Sequence, residues 1–155
     1  MIPKIPAKKH PSDVVTGASI NIAAPIDLVF SIIGNPLEVV NLEDIAHQVS
    51  IISEQKQGKG TKTQWICRDF ETDKEVTYIE EIYHYEPPFQ IAYKVISGPN
   101  FYTGIHTLSK NPDGTTLHEF NEVFHFPGNY DELLAIVQEN VHNVKRIAEK
   151  RHHKK

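Results

Sequence analysis

Nine histidines in 155 residues invite a search for acid–base or metal chemistry. They are densest around His118-Glu119-Phe120-Asn121-Glu122-Val123-Phe124-His125, where two histidines lie seven apart, not the four that would align them on one helical face. On a strand, successive side chains alternate between faces. His118 and Glu122 then point one way, Glu119 and His125 the other. Each face offers two ligands where a catalytic zinc needs three. His106 or His84 from neighbouring strands would have to complete a set, and nothing in the spacing demands it. No metal and no cofactor are expected. His118 and Glu122 read better as a proton-transfer pair. Desolvation raises the pKa of a carboxyl in an apolar cavity, and histidine titrates near neutrality. Such a pair suits aldol cyclisation or dehydration. Glu80 and Glu81 are a less specific alternative, since one of two neighbours on a strand faces inward.

Two further signals carry no chemistry. Gly58-Lys59-Gly60-Thr61 has the letters of a phosphate loop in the wrong order and leads into a strand, so it reads as a hairpin turn. Cys67 stands beside Arg68, but neighbours on a strand face opposite ways, and the thiol reads as buried and structural. No Ser–His–Asp arrangement follows from spacing.

The elements that must position these groups are legible from periodicity. Ser19-Ile20-Asn21-Ile22 alternates as a half-buried strand. It breaks at Ala23-Ala24-Pro25, where proline can open a helix and Asp27 suits the positive end of its dipole. Gly34-Asn35-Pro36 stops that helix, and Pro36 to Asn41 predicts a second short one. Six runs rich in β-formers follow: 46–53, 61–70, 74–85, 89–97, 101–109 and 115–126. Turn residues separate them about every twelve positions, the pattern of an antiparallel meander. Asn129 then caps a long helix over 130–150, close to a capping box with Glu132. Its stripe is Leu134, Val137, Val141, Val144 and Ala148, widened by Leu133, Ile136 and Ile147.

This order, with APIDLVF after the first strand, GKGT entering the third, EPP before the fifth and NPDGT before the seventh, resembles the START, polyketide-cyclase and Bet v 1-like superfamily. The resemblance spans residues 16 to 150. Where that superfamily often brings a tryptophan after the first helix, this chain has NPLEVVNLEDIAHQV, so no subfamily is identified. The resemblance implies an α+β helix-grip fold: a curved seven-stranded antiparallel sheet wrapped around a long C-terminal helix, with two short helices after the first strand. It also implies a cavity for a hydrophobic or polycyclic molecule.

Such a cavity has a physical rationale. A twisted seven-stranded sheet curls, and one helix cannot fill its concave side. Strand parity nominates the lining: Trp65 and Cys67 on the third strand, Tyr78 on the fourth, Phe89, Ile91 and Tyr93 on the fifth, His106 on the sixth, Phe120 and Phe124 on the seventh. Leu134, Val137 and Val141 would face them from the helix. Three phenylalanines favour the even-numbered face of the seventh strand as the inner one, which puts His118 and Glu122 inside. One β-bulge would reverse the parity of everything after it.

Bulk properties narrow the function classes. The length suits one domain, 16–150, with an extended, flexible, proline- and lysine-bearing arm at 1–15 and a basic tail at 151–155. A net charge of −4 gives no general reason to bind nucleic acid. A single cysteine and the lack of an apolar run of membrane-spanning length point to a cytoplasmic protein without stable membrane insertion. Edge strands permit a monomer or a homodimer. Binding or transport of a small hydrophobic molecule (a lipid, a quinone or an aromatic polyketide) is the leading expectation. A cyclase or dehydratase using His118 and Glu122 is the alternative, and a chaperone-assisting interaction module a third.

Overall fold

A computed structural model describes residues 1–69 and 72–154. The expected strand end at Phe70 and the last tail residue, Lys155, lie outside these. Strand β1 covers Val14–Ile22, five residues longer than the alternating core that announces it. Helix α1, Ile26–Ile33, starts after Pro25 at its N-cap and ends at Gly34. A 3-10 turn at Pro36–Glu38, capped by the Asn35 side chain, runs into the four-residue α2, Val39–Leu42. The meander follows as β2 Ala46–Ile51, β3 Lys62–Arg68, β4 Glu75–Glu86, β5 Gln90–Ser97, β6 Tyr102–Lys110 and β7 Thr116–Phe124. The sheet order is β1-β7-β6-β5-β4-β3-β2, antiparallel throughout. Helix α3, Tyr130–His153, closes the fold. This is the helix-grip arrangement.

Local chemistry explains most of these boundaries. The Asn129 side chain accepts the Glu132 backbone N–H at 3.0 Å, and the start of α3 carries Asp131 and Glu132 against Lys150 and Arg151 at its end. Arg151, His152 and His153, expected in a tail, continue the helix. The buried stripe of α3 is Leu133, Val137, Asn140, Val141, Val144 and Ala148. Leu134 is corrected to its flank: one residue on from Leu133 is about 100° round the helix, and Leu133 takes the inner place.

Val144 and Ala148 pack with Ile22, Val29, Ile32 and Leu42, fixing α3 to β1, α1 and α2. Val137 and Val141 meet Phe120, which is fully buried. The even-numbered residues of β7 face inward as expected. In β4 the register slips between Ile82 and His84, so Tyr85, opposite Ile91, continues the inner face and meets the Phe30 ring at 5.4 Å between centroids.

The N-terminal arm lies on the outer face of the sheet. The Ile2 backbone N–H donates to Gln90 Oε1 and Gln90 Nε2 donates back to the Ile2 carbonyl, each at 3.0 Å. Lys4 pairs with Glu119 at 2.8 Å, and Asn121 Nδ2 donates to the Lys4 carbonyl at 3.2 Å. Near its junction with β1, Asp13 Oδ2 lies 2.7 Å from His125 Nδ1 and accepts the Lys9 and His10 backbone N–H groups. Burial would raise the Asp13 carboxyl, but these hydrogen bonds outweigh it and hold it down at about 2.

Candidate functional site

The inner face of the sheet places polar groups under α3 from five adjacent strands. Parity does most of this. On β3, Thr63, Trp65 and Cys67 turn inward; on β4, Tyr78, Glu80 and Ile82 do. On β6, Tyr102, His106 and Leu108 share the inward face with Gly104. Register then decides which of them meet. Tyr93 on β5, Gly104 on β6 and Glu122 on β7 stand in one row across the sheet. Gly104 has no side chain to fill that row. The Tyr93 ring lies over it so closely that a Cβ there would be 2.5 Å from Tyr93 Cζ. The phenol thereby crosses β6 and donates to Glu122 Oε2.

Two more carboxyls complete the arrangement. Tyr102 O–H donates to Glu80 Oε2 at 2.6 Å. Glu43, one residue past α2, accepts from Asn140 Nδ2 of α3 at 2.9 Å. All three carboxyls are buried. Burial pushes Glu43 up to about 7, with Glu139 adding to the rise and the Asn140 hydrogen bond opposing it. Burial, and then mutual repulsion among the carboxyls, raise Glu80 and Glu122 well above the usual range, against the pull of their tyrosine partners. Burial, followed by the same carboxyls, pushes the Tyr93 and Tyr102 phenols well up. The Cys67 thiol, raised by burial and by Glu80 to about 12, is a structural thiol rather than a nucleophile.

These groups border two adjoining hollows that share Glu43 and Trp65. The larger, about 50 Å³, reaches from Glu80, Tyr93 and His106 to Asn35 and Pro36. The smaller, about 20 Å³, is lined by Tyr78, Tyr102, Glu122 and Phe124. One water takes roughly 10–15 Å³ on this measure, so the hollows are the size of a few heavy atoms. Neither is lined by a lysine or arginine among the described residues. Among the described residues, no three His, Cys, Asp or Glu side chains converge as metal ligands.

The residues nominated from the sequence divide accordingly. Trp65, Ile91, Tyr93 and His106 border the larger hollow; Trp65, Cys67, Tyr78, Glu122 and Phe124 border the smaller. His118, Phe120, Val137 and Val141 are buried packing residues that border neither. Phe89 is corrected to the surface: it precedes β5 and is 39% exposed. Leu134, on the flank of α3, borders neither hollow.

The structure does not bring His118 and Glu122 together. Four residues of strand separate them by roughly 13 Å, and Phe120 fills the interval. Glu122 is bonded to Tyr93, whereas His118 Nε2 lies 2.9 Å from His106 Nδ1. The Phe120 ring stacks on His106 at 3.9 Å between centroids and 6° between planes. Burial, with His118 alongside, holds His106 well below the usual histidine range, and burial draws His118 down to about 3. Both imidazoles are neutral near pH 7.

Glu43, Tyr102 and Asn140 were missed. Two of them were signalled: Asn140 interrupts the apolar stripe of α3, and Tyr102 shares the parity of His106. Glu43 stands in Glu43-Asp44, an acidic pair after a short helix that reads as solvated.

No protein-family model matches this chain, and no curated protein matches it in sequence. Solved structures do match in fold. The crystal structure of DR_A0006 from Deinococcus radiodurans superposes with a TM-score of 0.69 at 12% identity, covering 92% of this chain and 100% of that one. The di-domain ARO/CYC StfQ from the steffimycin biosynthetic pathway superposes with a TM-score of 0.70 at 14% identity, covering 88% of this chain and 45% of that one. At these identities the likeness is one of fold.

Proposed function

We propose that this protein binds a compact, partly apolar molecule bearing polar groups in the hollow between the sheet and α3. One observation carries the reading: three buried carboxyls from α2's end, β4 and β7, with two tyrosines and an amide, line two adjoining hollows in an otherwise apolar interior. Burying carboxyls without a basic partner costs stability that apolar side chains of similar volume would not. Convergent polar groups with shifted proton affinities in an apolar recess are what a ligand site requires. The volume favours a small molecule, or the head of a larger one, over a whole lipid or polycycle, which would need α2 and α3 to move apart.

The binding reading is tested by native mass spectrometry of the purified chain, then by a panel of small phenols, quinones and ketones. A one-to-one complex that disappears in Val39→Trp, which fills the hollow beside Pro36, is expected. A complex that persists unchanged in that variant, or an empty protein with no complex across the panel, would sink it.

A second reading, acid–base turnover of the cyclase or dehydratase kind, is favoured by the Glu80 carboxyl and the neutral His106 imidazole on one hollow. A protonated carboxyl can donate to a carbonyl oxygen while an imidazole accepts a proton from the adjacent carbon. The fold shared with the ARO/CYC StfQ supports keeping this alternative. Glu80, not the pair His118 and Glu122, is then the acid to test, and Glu80→Gln should abolish turnover in a chain that circular dichroism shows to be folded.

A further inference from the structure

The polar groups of the hollow are unequal in kind, and the inequality bears on what fits it. The carboxyl oxygens of Glu43, Glu80 and Glu122 each accept a hydrogen bond from the protein, from Asn140, Tyr102 and Tyr93 respectively. The remaining capacity of these groups, once ionised, is to accept more. Asn140 is 2% exposed, borders the larger hollow, and spends its Nδ2 on Glu43 while its Oδ1 has no hydrogen-bond partner. An orphaned buried acceptor of this sort needs a donor. No lysine or arginine lines either hollow among the described residues. The rings of Trp65 and Tyr93 border the same space, and aromatic rings of this kind attract cations.

We infer that the larger hollow takes a primary ammonium head group, held by Glu43, Glu80 and the Asn140 amide oxygen beside Trp65 and Tyr93. The inference rests on the binding reading above and names its ligand class. An anionic ligand would meet Glu43 and Glu80 with no lysine or arginine among the described lining residues to offset them. A neutral hydroxyl supplies one donor, too few for the Asn140 oxygen and the two carboxyls together. A divalent metal lacks three convergent ligands among the described residues. An ammonium group supplies three donors and a positive charge in a single heavy atom, which matches a space of about 50 Å³. Its tail would leave past Asn35, which is exposed at the rim. Burial favours the protonated form of these carboxyls, and a bound cation displaces one proton, which is released to solvent.

Isothermal titration of the full chain at pH 8 tests this with propylammonium and 2-phenylethylammonium chloride against their neutral counterparts, 1-propanol and 2-phenylethanol. Each ammonium is expected to bind at least tenfold more tightly than its alcohol, and the ratio should collapse in Glu43→Gln. Glu80→Gln serves as the second variant if circular dichroism shows the first to be unfolded. An alcohol binding as tightly as its ammonium overturns the inference and leaves the binding reading standing. So does a ratio unchanged in the folded variants. Binding of neither class here, with no complex across the phenol, quinone and ketone panel, overturns both.

Discussion

Glu43 should make the stability of this protein fall as pH rises, and Glu43→Gln should remove its share of that fall, to which the buried Glu80 and Glu122 add in the same sense. The Glu43 carboxyl has an ordinary value of 4.5 and stands at about 7 in the folded chain, through burial and the neighbouring Glu139. The folded state therefore holds this proton more tightly than the unfolded one. Its contribution is fully present below pH 4.5 and is lost as pH rises through 7. At about 1.4 kcal/mol per pH unit, the loss between pH 4 and pH 8 comes to about 3 kcal/mol. Glutamine is neutral throughout and keeps an oxygen for Asn140 Nδ2. The stability of Glu43→Gln relative to the natural chain should thus climb by about 3 kcal/mol over that range, or roughly 6–12 °C in Tm for a chain of this size. His106 and His118 act in the opposite sense. Burial depresses both, so they withdraw stability as pH falls below 6.5, towards about 3 for His118. That contribution is common to both proteins and cancels in their difference. Urea unfolding followed by far-ultraviolet circular dichroism at fixed pH values from 4 to 8 measures it. Parallel stability curves, or a variant that loses stability relative to the natural chain as pH rises, would refute the burial of Glu43 as a protonated acid.

Gly104→Ala sets a Cβ 2.5 Å from Tyr93 Cζ and should swing the phenol off Glu122, costing about 1–3 kcal/mol. A denaturation midpoint equal to that of the natural chain would contradict the close approach. Phe120→Ala removes the ring stacked on His106 and packed under Val137 and Val141, and should cost about 3–5 kcal/mol in the same assay; a change below about 1 kcal/mol is incompatible with that packing. Asp13→Asn weakens the junction of the arm, so the amides of Lys9 and His10 should exchange faster in hydrogen–deuterium exchange. In the natural chain the same release should follow acidification: the Asp13 contribution is present above 3.8 and lost as pH falls through about 2. Unchanged exchange in the variant would show that other contacts hold the arm.

The sequence by itself determined the order of elements and the direction most side chains face. Both rest on local rules. Alternation of period two marks β3 and β7, with their buried Trp65, Cys67, Phe120 and Phe124, and the spacing of Val137, Val141, Val144 and Ala148 marks the buried stripe of α3. Proline, glycine and asparagine mark the breaks, because each restricts or permits backbone angles on its own. Errors arose where local pattern meets an element's end. Phe89 has the parity of Ile91 but falls just outside β5, and Leu134 sits one residue off the stripe in the first turns of α3.

Only the tertiary structure decided which inward groups meet. His118 and Glu122 share a face, yet their partners come from other strands: His106 by one register, Tyr93 by another that depends on Gly104 having no side chain. Glu43 joins the site because α2 sets it against Asn140, 97 residues away in sequence. The volume of the hollow likewise follows from how closely α2 and α3 seat on the curled sheet. Contacts between residues far apart in the chain are fixed by register and packing, and neither leaves a periodic trace in the sequence of any one element.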